Sequence, residues 1–380
     1  MDPSIAGRPP MSRVLHVAQP TTGGVPQVVL ALTRAQVRHG MSVAVACPAE
    51  GELASAAEVA GADVHPWPAT RSPGTSVPDE MRRLRAILAK VQPDLLHLHS
   101  SKAGLAGRLA VRGRLPTIFQ PHAWSFSAVG GTTASMARVW ERWGARWTSV
   151  LLCVSDDEAR MARIVQIGGP QVVIPNGVDL TRFLPAGAQE KARARNSLGL
   201  PPDHPLAVCL GRLSKQKGQD LLVRAWSEIS AAVPRSRLVL VGDGPERAAL
   251  TNWLPAGVCL TGESSRPELW YAAADVVVVP SRWEAMALVP LEAMATARAV
   301  VAFDVEGIRQ SIPAGAGAII AAGDLSGLAG AVASRLAEPS RADREGRTGR
   351  AHVERRHSEQ AMTASVAALY ARLLGEAPSE

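Results

Sequence analysis

The sequence predicts an α/β protein made of two doubly wound, parallel-sheet domains in tandem. Three observations carry that reading. Short uninterrupted apolar runs such as Ser149–Ser155, Leu206–Gly211 and Ala274–Val279 are too brief for typical helices and read as strands buried on both faces. They alternate with stretches of helical periodicity, the arrangement that builds a parallel sheet with helices on its faces. The chain has 380 residues, enough for two such domains.

Arg13–Val17 is the first strand, Gln19–Gly24 a turn, and a helix follows through Val28, Leu30 and Leu32 to Gly40. Strand, glycine turn and helix open a doubly wound domain, and the pair Gly23-Gly24 lets backbone approach a ligand closely. Ser42–Ala46 and Asp63–Trp67 are the next strands, 70–78 a Pro/Ser/Thr/Gly-rich loop and 78–91 a helix. Asp94–His99 is a strand that ends in Ser100–Gly104, at the carboxyl edge where open sheets bind ligands. His97 and His99 alternate to one face. Strand-end packing with polar contacts is expected there over a metal pair, because no further zinc ligands are identifiable. Thr117–Trp124 is a strand with its tip, and His122 lies in the tip. Met136, Trp140, Trp143 and Trp147 then recur at helical spacing beside a stripe of Arg138, Arg142 and Arg146. The preferred reading packs the tryptophans inward and leaves the arginines in water; the other is a face for a lipid interface. Asp156–Glu158 starts a helix, with its charge well placed for the helix dipole. Val172–Asp179 closes the half and contains the tight-turn pair Asn176-Gly177.

Residues 180–204 read as a linker, being rich in proline. Leu206–Gly211 is a strand, followed by the basic loop Arg212–Gly218, which holds two of the five lysines of the chain. Arg237–Val241 leads to the turn Gly242-Asp243-Gly244, which lacks the third glycine and acidic partner of a dinucleotide fingerprint. Val258–Gly262, Ala274–Val279 and Ala299–Phe303 are further strands, and 324–336 and 353–375 are helices.

The four cysteines are far apart, which argues against a disulfide framework and suits a reducing cytosol. Residues 1–11 are polar and Pro/Gly-rich, a disordered tail rather than a signal peptide. No run approaches the roughly 18 apolar residues of a membrane span. The net charge is +7, and residues 1–180 carry 18 Lys and Arg against 13 Asp and Glu. A mildly basic first half suits an anionic membrane surface or a phosphorylated acceptor. It is too scattered for nucleic acid. The expected location is the cytoplasm, with peripheral contact at the inner membrane face as a candidate.

The stretch Pro280–Met294 carries the chemistry. A turn leads to a helical pattern with Pro290 in its first turn. Glu292 is expected in that turn too, with Glu284 on the loop before it and the N–H groups from Ala285 to Val289 directed between the two carboxylates. A helix N-terminus attracts anions, and carboxylates accept hydrogen bonds from hydroxyls. That layout suits a nucleotide-sugar, with its sugar hydroxyls, diphosphate and ribose hydroxyls in order. Two such glutamates are also commonly capping or solvated.

Glu284-x7-Glu292, followed by Ala293-Met294-Ala295, resembles the E-x7-E motif of the family 4 glycosyltransferases of bacterial type. These have the GT-B fold, two Rossmann-like domains facing across a cleft. Ordered matches accompany it over about residues 12–375: Gly23-Gly24 after the first strand, His122 after a later one, Asn176–Asp179 as the N-G-V-D segment, and Gly211-Arg212-Leu213 with Lys217-Gly218 as the G-R-L…K-G segment. The resemblance implies a retaining, metal-independent hexosyltransferase. It would move sugar from a nucleotide-sugar, taken as a UDP-sugar, to a lipid-linked or polysaccharide precursor or a small metabolite. It implies donor binding by Gly23, Gly24, Gly211, Arg212, Lys217, Gly262, Ala285, Met286, Ala287, Leu288 and Glu292. Glu292 would hold the ribose, and Arg212 and Lys217 the diphosphate. Catalysis would fall to Glu284, His122, Arg212 and Lys217, with Glu284 and His122 on the sugar. No metal or cofactor is implied, the nucleotide-sugar being a substrate. Residues 12–180 would form the acceptor domain and 181–355 the donor domain, with 356–380 a helix returning toward the first domain and then a tail.

The chain departs from the family at three turns. The usual Gly-Phe-Gly is Ala285-Met286-Ala287, the usual Gly-x-Pro is Ala297-Arg298-Ala299, and Gly-Gly-x-x-Glu is replaced by Glu306-Gly307-Ile308-Arg309-Gln310. Two rivals stay open. One is a nucleotide-sugar epimerase of the same fold, which would release altered sugar without an acceptor and against which the E-x7-E pattern argues. The other, kept open by the altered turns, is a non-catalytic partner subunit that binds nucleotide-sugar.

Overall fold

The computed structural model describes residues 12–70 and 74–375. The expected tail over 1–11 lies outside the described residues. The chain divides into two compact units: one runs to Pro175 and resumes at Met362, and the other is Asn176–Ala361.

The first unit holds seven strands: β1 (Arg13–Ala18), β2 (Ser42–Cys47), β3 (Asp63–Pro66), β4 (Leu95–His99), β5 (Thr117–Gln120), β6 (Val150–Cys153) and β7 (Gln171–Val173). They lie in the order β3-β2-β1-β4-β5-β6-β7, every neighbouring pair parallel. The order reverses between β1 and β4, and that switch point is where open sheets take ligands at their carboxyl ends. The register sets His16 beside His97 and Ala18 beside His99.

The second unit holds β8 (Leu206–Leu210), β9 (Arg237–Val241), β10 (Val258–Gly262), β11 (Val276–Val279), β12 (Ala299–Phe303) and β13 (Gly317–Ile320). Their order is β10-β9-β8-β11-β12-β13, again parallel throughout. Alternate residues serve opposite faces of this sheet. Val208, Val239, Val277 and Val300 enter one apolar cluster, whereas Ala207, Leu238, Val276 and Val301 enter another. A strand with two apolar faces has no polar alternation, which is why these runs are uninterrupted in the sequence.

Several expectations need correction. Residues 180–204 are not a bare linker. They contain the helix Ala188–Ser197, tied down by Lys191 and Arg195, which both pair with Asp275. The helix expected over 353–375 is two, Pro339–Arg356 and Glu359–Leu374. The break at 357–358 has a cause: Val178 donates to the His357 carbonyl at 2.8 Å and accepts from Glu359 N at 3.0 Å. Those bonds place Asn176–Asp179 in the second unit. All four cysteines are free, three of them buried. No helix among the described residues is long and apolar enough to cross a membrane.

Candidate functional site

In the second unit, two loops at the carboxyl ends of adjacent strands are stapled together. After β8 comes 211–218, and after β11 comes 280–287. Arg282 pairs with Asp220 through two bonds of 2.7 Å, donates to the Lys215 carbonyl at 2.8 Å, and uses its own N–H on the Gln216 carbonyl. Gln216 returns a bond to the Trp283 carbonyl. Gly218 sits at φ +68°, and a Cβ there would stand 2.0 Å from the Pro280 carbonyl oxygen. Only glycine permits that approach. The result is a bond of 2.6 Å from Lys217 Nζ to Glu284 Oε1. Ser281 Oγ donates to the same oxygen at 2.7 Å, so Oε2 of Glu284 is left for another donor.

The helix after this loop spans Leu288–Ala295. Glu292 therefore lies one turn further in than the sequence reading placed it. Tyr271, fully buried, donates its hydroxyl to Glu292 Oε2 at 2.5 Å. Burial raises the Glu292 pKa above the usual carboxylate range, partly offset by the Tyr271 bond and by Arg182 and Lys217. The turn Ala285–Ala287 is buried and held from two sides. Asn176 Nδ2 donates to the Met286 carbonyl at 2.8 Å. Gly307, at φ +77°, lies so close that a Cβ would meet the Ala285 carbonyl oxygen at 1.7 Å. The N–H groups of Ala285, Met286, Ala287 and Leu288 donate no hydrogen bond among the described residues. Arg212 is exposed and makes no ion pair among the described residues. Gly211 and Gly262 stand at the ends of β8 and β10, both with positive φ. Unbonded N–H groups, an exposed guanidinium and an ammonium paired with Glu284 are the kinds of group that can receive an anion flanked by hydroxyls.

The sequence reading named Glu284, Glu292, Arg212 and Lys217 as site residues. It did not name Tyr271, Ser281, Arg282 or Asp220, and took Asn176 as a tight-turn residue and part of the N-G-V-D match. The one available signal was Asn176-Gly177, which the structure uses to secure Met286.

In the first unit, Gly23 precedes the helix Gly24–Arg38 at φ +89°, with no atom within 4 Å of where a Cβ would stand. His122 and Ala123 follow β5 at φ +56° and +105°, a conformation that non-glycine residues rarely adopt. Glu158 enforces it: buried, it accepts from Ala123 N and Val154 N, both at 2.8 Å. Its own N–H is capped by Ser155 Oγ at 3.1 Å.

His16, His97 and His99 each bring a ring nitrogen within 4.8 Å of the others, a spacing open to a metal ion. The chemistry of the donor set tells against one. His16 uses both nitrogens, on His99 and Gln36, and His99 uses both, on His16 and His122. A metal would have to break one of those bonds. Strand-end packing with polar contacts, the preferred reading of His97 and His99, describes what is found.

On the helix Gly131–Gly144 the inward packing expected of every tryptophan is not what is found. Met136, Val139 and Trp143 are exposed, beside exposed Arg138, Arg142 and Arg146, while Trp140 and Trp147 are half-buried. The inward face is taken by Ala134 and by Glu141, which forms a buried pair with Arg108 at 2.7 Å.

Two family models match the chain: Glycosyltransferase Family 4 over residues 22–182 and Glycosyl transferases group 1 over 204–338. The chain is 33% identical over 258 residues to a lipopolysaccharide core biosynthesis mannosyltransferase of Rhizobium leguminosarum bv. viciae, covering 64% of this chain and 71% of that protein. It is 32% identical over 335 residues to a D-inositol 3-phosphate glycosyltransferase of Xylanimonas cellulosilytica, covering 77% and 78%. Among solved structures, HepE of Anabaena in complex with UDP and glucose superposes with a TM-score of 0.80 at 21% identity, over 94% of this chain and 99% of that one.

Proposed function

We propose, since this chain belongs to glycosyltransferase family 4, that it moves a sugar from a UDP-sugar to an acceptor hydroxyl with retention of configuration and without a metal. The observation that carries the reading is the set of unbonded N–H groups at Ala285–Leu288 beside Lys217, between Glu284 and Glu292. Glu292 accepts from the ribose hydroxyls. Arg212, Lys217 and the loop N–H groups receive the diphosphate, and Gly211 and Gly262 line its approach. Glu284 holds the sugar. By the family resemblance, the first unit offers His122 to a sugar hydroxyl and Gly23-Gly24 to a phosphate. The acceptor oxygen bonds to the sugar carbon as the bond from that carbon to the diphosphate breaks. The acceptor proton passes to a donor phosphate oxygen on the same face. Catalysis is then positioning plus neutralisation of the leaving diphosphate.

A UDP donor is supported by the likeness to the UDP complex of HepE, and a polysaccharide-precursor acceptor by the likeness to the lipopolysaccharide enzyme. A phosphorylated small metabolite is the other acceptor class, supported by the likeness to the inositol phosphate enzyme. The exposed Met136, Val139 and Trp143 beside three arginines support a peripheral contact with an anionic membrane, from the cytoplasmic side.

A thermal-shift screen of UDP-, GDP- and ADP-sugars tests the donor, because a ligand that binds the folded state stabilises it by mass action. Stabilisation by a UDP-sugar, followed by transfer with retained anomeric configuration, is the expected result. Altered free sugar without acceptor would instead mark an epimerase. Binding without transfer to any acceptor class would mark a non-catalytic subunit.

A further inference from the structure

Four histidines of the first unit form a row whose polarity is set at one end. His122 Nε2 meets His99 Nδ1 at 3.1 Å, His99 Nε2 meets His16 Nδ1 at 2.9 Å, and His16 Nε2 meets Gln36 Oε1 at 2.8 Å. An amide oxygen only accepts, and a neutral imidazole has one donor and one acceptor nitrogen. His16 must therefore carry its proton on Nε2 and accept at Nδ1. His99 must then donate from Nε2 and accept at Nδ1, and His122 must donate from Nε2. Each tautomer follows from the one before it. The rings are neutral because burial disfavours their charged form, lowering His16 to about 4 and His122 to about 3.

Gln36 is 5% exposed, so water does not compete for the oxygen it turns to His16.

We propose that Gln36 is a positioning residue for the transfer: through His16 and His99 it holds His122 as its Nε2–H tautomer, so that Nδ1 is a fixed acceptor for a hydroxyl of the donor sugar. The proposal rests on the reading of His122 as a sugar contact. His122 Nδ1 makes no hydrogen bond among the described residues, and the strained turn that Glu158 holds fixes the ring's backbone. An acceptor-only nitrogen selects a sugar position that can donate a proton, and rejects one that cannot, such as a fluorinated or methylated analogue.

NMR of protein labelled with 15N in its histidine rings reports which nitrogen carries the proton, with no ligand present. The His122 signal is identified by its loss in His122→Ala. At neutral pH the wild-type ring should be Nε2–H. Gln36→Glu keeps the accepting oxygen and should keep that tautomer. Gln36→Leu should give a mixture. With UDP-glucose as probe, this variant should also raise KM by about 2- to 10-fold, the worth of one neutral hydrogen bond, with affinity for UDP alone unchanged. A wild-type His122 that is Nδ1–H or mixed overturns the proposal, as does a tautomer unaffected by Gln36→Leu. Should Gln36→Leu fail to fold, the wild-type and Gln36→Glu spectra decide. If the tautomers behave as described but His122→Ala leaves KM unchanged, the sugar-contact reading falls and the relay stands.

Discussion

In the proposed donor site Glu292 has two partners to satisfy, and substitution can separate them. Its Oε2 accepts from the Tyr271 hydroxyl at 2.5 Å, and its other oxygen is assigned to the ribose by the proposal. Glu292→Ala removes both. Tyr271 is fully buried, so its orphaned hydroxyl costs about 1–3 kcal/mol of stability. At about 2–4 °C per kcal/mol for a unit of this size, Tm should fall by about 2–12 °C. Loss of a hydrogen bond to a charged group costs about 1.5–3 kcal/mol of donor binding, a weakening of about 13- to 160-fold. Glu292→Gln keeps an oxygen for Tyr271 and gives up only the charge. Tm should then barely move, while donor affinity falls by about 1 kcal/mol, roughly fivefold. Calorimetric titration with the donor found in the screen, alongside differential scanning fluorimetry, reads the two effects separately. A Glu292→Ala protein with lowered Tm and unchanged donor affinity would refute the ribose assignment and leave Glu292 as a partner for Tyr271 alone.

Lys217→Met should lower kcat by about 100- to 1000-fold, the range for removing one preorganised group from a site of developing negative charge; a kcat within threefold of wild type would take Lys217 out of the leaving-group site. Activity should survive EDTA, and loss in chelator with recovery on adding manganese or magnesium would overturn the metal-free mechanism. The buried histidines have depressed pKa values, so the stability they contribute is complete above the unfolded imidazole value of about 6.5 and is lost as pH falls from there toward about 4. The urea midpoint should drop across that window, and a flat midpoint would contradict neutral buried rings. Vesicle flotation should show weak, salt-sensitive binding to anionic but not neutral liposomes, since each arginine near the surface adds about 1 kcal/mol. Flotation unaffected by Arg138→Glu, Arg142→Glu and Arg146→Glu would move the contact elsewhere.

Strands such as β8, β11 and β12 were legible because each is buried on two faces and so appears as a continuous apolar run. β13 was missed for the opposite reason: Gly317-Ala318-Ile319-Ile320 is short and begins with small residues. The helix Pro339–Arg356 was mostly missed because it is rich in arginine and offers little apolar periodicity, with Ala342, Gly346, Gly349 and Val353 as its buried residues. Its glycines bring it against the helix Leu288–Ala295 and the turn after it, Gly346 at the Ala297 carbonyl and Gly349 at Met294, and leave no hydrophobic signature.

The site divides along a similar line. Glu284, Glu292 and Lys217 lie in local patterns, where the resemblance to the family's motifs implies a role. What orients them is remote. Gly218 needs the Pro280 carbonyl, Tyr271 reaches Glu292 from the preceding helix, and Gly307 backs Ala285. Gly307 also bears on the departures of this chain from its family. Glycines in the 285–287 turn would leave its backbone free, but here two alanines and Met286 fill it and are themselves buried. The space the turn requires has been kept on the opposing side, at Gly307, while the neighbouring glycine position has become Glu306. The turn is rigid because its side chains pack, Asn176 holds the Met286 carbonyl, and Gly307 admits the Ala285 carbonyl. A loop held in this way keeps its N–H groups unbonded without collapsing onto them, which is the property an anion-binding turn needs and which glycine itself does not provide.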